Sequence, residues 1–124
     1  MKFKLSWVIA CSSLFLFGCT PDSRVALVQN GNLDACPKTT LKEMVDGYVG
    51  SPSWYSGDTE DGDEIVNIEG TIMYSEKEVK MVLQFNVDSE KQTFEFGALE
   101  FNGIPQNGFI AEAVISNMCD EVSK

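Results

Sequence analysis

Nine residues near the middle of the chain, Val79 to Val87, alternate in polarity. Val79, Met81, Leu83, Phe85 and Val87 fall on one side, and Lys80, Gln84 and Asn86 on the other. Successive side chains of an extended strand point to opposite faces, so this period of two marks a strand buried on one face and wet on the other. Such one-faced strands belong to antiparallel sheets and need a cover on their apolar side.

Neighbouring segments follow the same rule. In Ile65 to Tyr74, the residues Val66, Ile68, Gly70, Ile72 and Tyr74 share one face, opposite Asn67, Glu69 and Thr71. Thr93 to Phe101 carries Phe94 and Phe96 on one side, but then Leu99 and Phe101, so the parity slips by one. One extra residue at Gly97-Ala98 returns both pairs to the same face, which predicts a β-bulge there. A short first strand, Ser53 to Gly57, carries Trp54 and Tyr55. Ser75-Glu76-Lys77 and Asp88 to Gln92 read as polar hairpin connections.

Two helices supply the cover. Thr40-Leu41-Lys42-Glu43 matches a capping box. Leu41, Met44, Val45, Tyr48 and Val49 form the apolar stripe behind it, and Gly50 is placed to act as a left-handed C-terminal cap before Pro52. A last helix begins around Asn107, a good N-cap, and buries Ile110, Ala111, Val114, Ile115 and Met118. The expected fold is therefore α+β, in the order α-β-β-β-β-α. It is a four-stranded antiparallel sheet with two helices on one face and a solvated opposite face.

The amino-terminal segment reads as an address. Lys2 and Lys4 precede an apolar run from Leu5 to Phe17 that ends in Leu16-Phe17-Gly18-Cys19. The run is short of the roughly 20 residues that span a hydrocarbon core of about 30 Å, and it fits the apolar region of a secretory signal. Its end resembles the bacterial lipobox, which implies cleavage before Cys19 and lipidation of that thiol. A transmembrane anchor or an ordinary cleaved signal is the alternative. The expected segments are a signal peptide over 1–18, a lipidated tether over 19–35 with a turn at Asn30-Gly31-Asn32, and a single domain over 36–124. By resemblance to triacylated lipoproteins, three acyl chains (palmitate among them) would hold the mature protein stably. Thr20, rather than Asp, after the cysteine resembles outer-membrane sorting in a Gram-negative cell.

Of the four cysteines, Cys11 would leave with the signal and Cys19 would carry lipid. Cys36 and Cys119 remain. An even pair in an oxidising compartment reads as a disulfide. Paired metal-ligating thiolates are the rival, but no further Cys or His lies near them to complete a site.

The chain has 9 Lys and Arg, 19 Asp and Glu and no His, a net charge of −10. Removing residues 1–18 leaves 106 residues with seven Lys and Arg, hence a net charge of −12. Such acidity disfavours nucleic acid as a partner, because phosphate backbones demand cations. The absence of His removes Ser-His-Asp and Cys-His catalysis and the commonest metal ligand. At 44% hydrophobic residues the acidity does not mean disorder.

Candidate functional residues are few. Asp58-Thr59-Glu60-Asp61-Gly62-Asp63-Glu64 is the densest charge cluster. Spaced carboxylates suit Ca²⁺, but counting from Asp58 puts Gly62 at position five and Glu69 at position twelve, so an EF-hand loop is mis-set. A solvated hairpin turning at Asp61-Gly62 is the simpler reading, with no metal and no cofactor. Trp54 and Tyr55 suit either an aromatic contact for a partner or the end of the core. Asn102 to Asn107 suits either a recognition loop or a chain reversal at Asn102-Gly103. Glu69, Glu95 and Glu100 are carboxylates of the strands, yet no nucleophile or pocket is signalled around them, so no enzyme is expected.

Several segments together resemble a known module. They are Asn30-Gly31, Gly50-Ser51-Pro52-Ser53-Trp54, Asp61-Gly62, Gly70 with Tyr74, Gln84-Phe85, Phe94-Glu95, and Ala98-Leu99-Glu100-Phe101-Asn102-Gly103-Ile104-Pro105-Gln106-Asn107. Spread from Val25 to Met118, they resemble a small extracytoplasmic bacterial module seen in lipoproteins and in membrane proteins with an N-terminal zinc ribbon. This chain has no such ribbon. The resemblance implies an α+β fold and an envelope location, and supplies no catalytic residues.

The expectation is thus a lipid-anchored bacterial envelope protein that binds or helps assemble an envelope protein, a basic one given the charge. Its polar sheet face and the region of Trp54, Tyr55, Asp58, Glu60, Asp61, Asp63 and Glu64 form the candidate surface. The alternative is an inhibitor or immunity-type lipoprotein that blocks a secreted or periplasmic enzyme with the Asp58 to Glu64 loop.

Overall fold

The central alternation becomes a strand in the computed structural model, which describes residues 22–122; the signal segment and Cys19 lie outside them. In chain order the elements are α1 (Ser23–Gln29), α2 (Leu41–Tyr48), β1 (Gly50–Asp58), β2 (Glu64–Tyr74), β3 (Lys77–Asp88), β4 (Thr93–Phe101), β5 (Ile104–Pro105) and α3 (Gly108–Val122). The five strands form one antiparallel meander in the order β1-β2-β3-β4-β5. The fold is α+β as expected, with one more strand and one more helix than the sequence pattern announced.

Alternation sorts the side chains as predicted, except that Phe96, expected with Phe94 on the core face, lies opposite Phe85 near the edge of the sheet and stays 36% exposed. Val66, Ile68, Ile72, Met81, Leu83, Phe85, Val87, Leu99 and Phe101 are buried in one cluster with residues of all three helices. Gln84 pairs with Ala98 and Phe85 with Phe96, so Gly97 is the extra residue of the predicted bulge. The helix starts also follow the sequence. Thr40 Oγ1 accepts from the Glu43 amide at 3.2 Å, and the Glu43 carboxylate accepts from the Thr40 amide at 3.0 Å. The Ile110 amide donates to Asn107 Oδ1 at 3.0 Å at the head of α3.

Cys36 and Cys119 are joined in a disulfide with Cα atoms 5.8 Å apart. It closes most of the described chain and contributes about 4 kcal/mol by loop entropy, less any strain. The disulfide ties the segment before α2 to the last turns of α3, and the ends of the two helices are in close contact, since a Cβ built on Gly47 would lie 2.7 Å from Val122 Cγ1.

Three boundaries differ from the sequence reading. The expected tether is folded from Ser23 onward, because Val25 and Val28, one helical turn apart, are buried at 5% and 0% exposure. Gly50 is not a left-handed cap. α2 ends with Val49 already extended, and its buried side chain carries the backbone straight into β1. The positive φ falls on Ser51, in a bulge of β1 between Gly50 and Ser53. Finally, Asn102-Gly103 reverses the chain as expected, but Ile104 then pairs back on Phe101 and Pro105 on Glu100, which makes β5.

Gly70, in the middle of β2, lets this junction pass. A Cβ there would lie 2.3 Å from Val49 Cγ1 and 2.8 Å from the Gly50 carbonyl oxygen. No side chain fits where the end of α2 crosses the sheet.

Candidate functional site

The helices leave the other face of the sheet uncovered. Register places its residues in rows running across the strands. One row is Ser53, Glu69, Val82, Glu100; the next is Tyr55, Asn67, Gln84, Ala98. The polar groups in these rows hold one another. The Tyr55 hydroxyl donates to the Glu69 carboxylate, and Gln84 Nε2 donates to Asn67 Oδ1 at 3.0 Å. The bond to Glu69 pushes the Tyr55 phenol above its ordinary value of 10; partial burial and the charges of Glu69 and Glu100 add to this, and Asn67 opposes it. Tyr55 is thus a neutral, oriented donor at neutral pH, 42% exposed.

Toward the β2–β3 turn the same face has a shallow depression of about 380 Å³, lined among others by Ser51, Thr71, Lys80, Glu100 and Asn102. Asn102 Oδ1 accepts from the Lys80 amide at 3.0 Å, which pins the β4–β5 turn beside it. Glu69 and Glu100 flank Val82, two strand spacings or about 10 Å apart. Glu95 stands in another row, opposite Asn86.

The acidic loop is a hairpin connection, as its Asp-Gly pair suggests. The Gly62 amide donates to the Thr59 carbonyl at 2.9 Å, and the Thr59 amide to the Asp63 carbonyl at 2.9 Å. Gly62 takes φ +88, which a side chain would resist. The carboxylates of the loop do not converge. Arg24 of α1, which the sequence reading passed over, reaches Asp58 at 3.1 Å and Glu64 at 3.8 Å. Glu64 also accepts from the Ser89 hydroxyl at 2.6 Å. Asp22 caps α1 by accepting from the Arg24 amide, and the Ser56 hydroxyl donates to it at 2.9 Å. Those bonds, the Arg24 amide first, hold the Asp22 carboxyl below its ordinary value of 3.8. Glu60, Asp61 and Asp63 are left exposed at the tip. Among the described residues, no group of three His, Cys, Asp or Glu is arranged to hold a metal ion.

The sequence-derived surface is therefore split over three places. Trp54 lies opposite Ile68 on the helix side and packs against the core, whereas Tyr55 lies on the open face. Asp58 and Glu64 serve an internal ion-pair network, and Glu60, Asp61 and Asp63 stand apart at the hairpin tip. Arg24 had one signal in the sequence: it is the only cation in 20–35.

What the fold and this face define is a small, disulfide-closed α+β domain with one covered and one open sheet face. Comparison with protein-family models, curated proteins and solved structures finds no match. Among the described residues, no helix is long and apolar enough to cross a membrane.

Proposed function

We propose that this chain is the precursor of a lipid-anchored bacterial envelope protein whose domain is a non-catalytic binding or assembly module. Its lipid is carried by Cys19, and Thr20 favours the outer membrane if the cell is Gram-negative. The open sheet face receives an envelope protein. The observation that supports this best is the set of mutually held polar side chains around Tyr55 on a face that no helix covers. An oriented, half-exposed tyrosine among satisfied amides binds at low entropic cost, because its partners are already paired before docking. The mature charge of −12 favours a basic partner and speeds its encounter.

A photo-crosslinking residue at Tyr55 or Val82 in the full precursor, expressed in cells, tests the reading. A discrete protein adduct is expected from these positions and not from exposed Lys42 on α2. No adduct, or the same adducts from all three positions, would sink it. Acyl labelling that is lost in Cys19→Ser is expected for the anchor, and unchanged labelling refutes it.

A further inference from the structure

The distance between the proposed anchor and the folded domain is very short. Only Thr20 and Pro21 lie between Cys19 and Asp22. Three Cα–Cα steps span at most about 11 Å, whatever path they take. The headgroup layer outside the hydrocarbon core is about 5–8 Å thick. A cysteine whose acyl chains sit in the core therefore keeps Asp22 at the membrane surface.

Asp22 has no slack of its own. It caps α1, and the Ser56 hydroxyl near the end of β1 donates to it at 2.9 Å. Two residues on, Arg24 bonds the Gly57 carbonyl and Asp58 and approaches Glu64. The attachment point is thus welded to the end of the sheet that carries the β1–β2 hairpin tip. Glu64 ties the β3–β4 connection at Ser89 to the same end. The Ser75-Glu76 turn is at the other end of β2, whose 11 residues extend about 34 Å.

We propose that this end of the domain, built from Asp22, Arg24 and the Asp58 to Glu64 hairpin, faces the bilayer surface, and that the domain stands on it with the Ser75-Glu76 turn uppermost. The proposal rests on lipidation of Cys19. All 19 Asp and Glu lie in the domain side of the anchor. On a membrane containing anionic lipid, the short tether holds this end down against the repulsion of its own Asp58 to Glu64 carboxylates, and the rest of the acidic body is turned away from the surface. The open face around Tyr55 then runs up the side of the standing domain, where an envelope protein reaches it. The acidic tip is spent on the membrane side and is not presented to a soluble enzyme, which disfavours the inhibitor reading.

The test uses the acylated mature protein in phosphatidylcholine vesicles containing phosphatidylglycerol, with some lipids bearing a headgroup nitroxide. A fluorophore is placed through Glu60→Cys or Glu76→Cys, both exposed sites, after the native disulfide has closed. The label at position 60 is expected to lose most of its emission and the label at 76 to keep it. Equal quenching at both, or quenching at 76 alone, overturns the orientation. A Gly-Ser insert of about twelve residues between Pro21 and Asp22 lengthens the reach by about 20 Å and should restore emission at position 60. Quenching that survives the insert would mean the tip binds lipid by itself, and would overturn the tether as the cause. Mass spectrometry before reconstitution separates the two levels. Protein without acyl groups at Cys19 refutes the anchor and this inference together, whereas acylated protein with the wrong quenching pattern refutes only the orientation.

Discussion

The two faces of this sheet are made from the same strands and have opposite tolerances. On the inner face, Phe85 is wholly buried, with its ring edge-on to Phe94 at 5.6 Å, and Tyr74 stacks at a tilt on Phe101 at 4.9 Å. On the outer face, Tyr55 bonds Glu69 and Gln84 bonds Asn67, and none of the four belongs to the buried cluster. The difference teaches where selection for folding ends on this domain. Stability is concentrated on one side of each strand, which leaves the other side free to carry recognition.

Neighbouring residues of β3 offer the most direct way to break this comparison. Phe85→Ala should cost about 3–5 kcal/mol, and Asn86→Ala, pointing outward, should stay within about 0.5 kcal/mol. Urea unfolding of both variants measures the contrast; similar losses would dissolve the distinction between faces. Replacing Cys36 and Cys119 together by Ser should remove about 4 kcal/mol or somewhat less, read the same way against the oxidised protein. Gly70→Ala should cost about 1–3 kcal/mol, because the new methyl collides with Val49 and the Gly50 carbonyl and the backbone must shift.

Smaller effects sharpen the outer side. Absorbance titration should show Tyr55 ionising above the ordinary value of 10, and Tyr55→Phe should remove that contribution with little change in melting temperature. The folded state holds this proton more tightly than the unfolded chain, so its contribution is complete below pH 10 and is lost as pH rises through the raised value. Asp22 and Glu43 work in the opposite sense. Asp22 is held below 3.8 chiefly by the Arg24 amide, and Glu43 below 4.5 chiefly by the Thr40 amide. Their contributions are present above those ordinary values and are lost as pH falls through the lowered ones. Acid unfolding should therefore be shallower in the double variant Asp22→Asn with Glu43→Gln; an unchanged acid limb would contradict the bonding described at both caps.

Much of this is legible in the sequence. Alternation assigned the inner residues of β2 and β3, and the parity slip located the bulge at Gly97. The capping box and Asn107 marked the starts of α2 and α3, and cysteine counting gave the disulfide. The opposed faces of Trp54 and Tyr55 were also legible, since adjacent strand residues must diverge, although reading them as one surface overlooked it. Other features left no trace. α1 spans seven residues, and the unbroken apolar run Val25-Ala26-Leu27-Val28 masks the one-turn spacing of its two buried valines. So short a helix is held by burial of Val25 and Val28 rather than by propensity. β5 has two residues and exists because the Asn102-Gly103 reversal lays Ile104 beside Phe101.

By itself, then, the sequence determined the class of fold, the buried face of each main strand and the covalent closure. Each of these follows from local periodicity or from the chemistry of a residue type. Only the tertiary structure decided that the amino-terminal stretch is part of the domain, that Arg24 binds the hairpin carboxylates and that Asp22 is fixed three residues after Cys19. These depend on which distant side chains meet, through contacts such as Arg24 with Asp58 that span 34 positions. Local pattern carries no term for such meetings, because packing alone decides which distant groups come within reach.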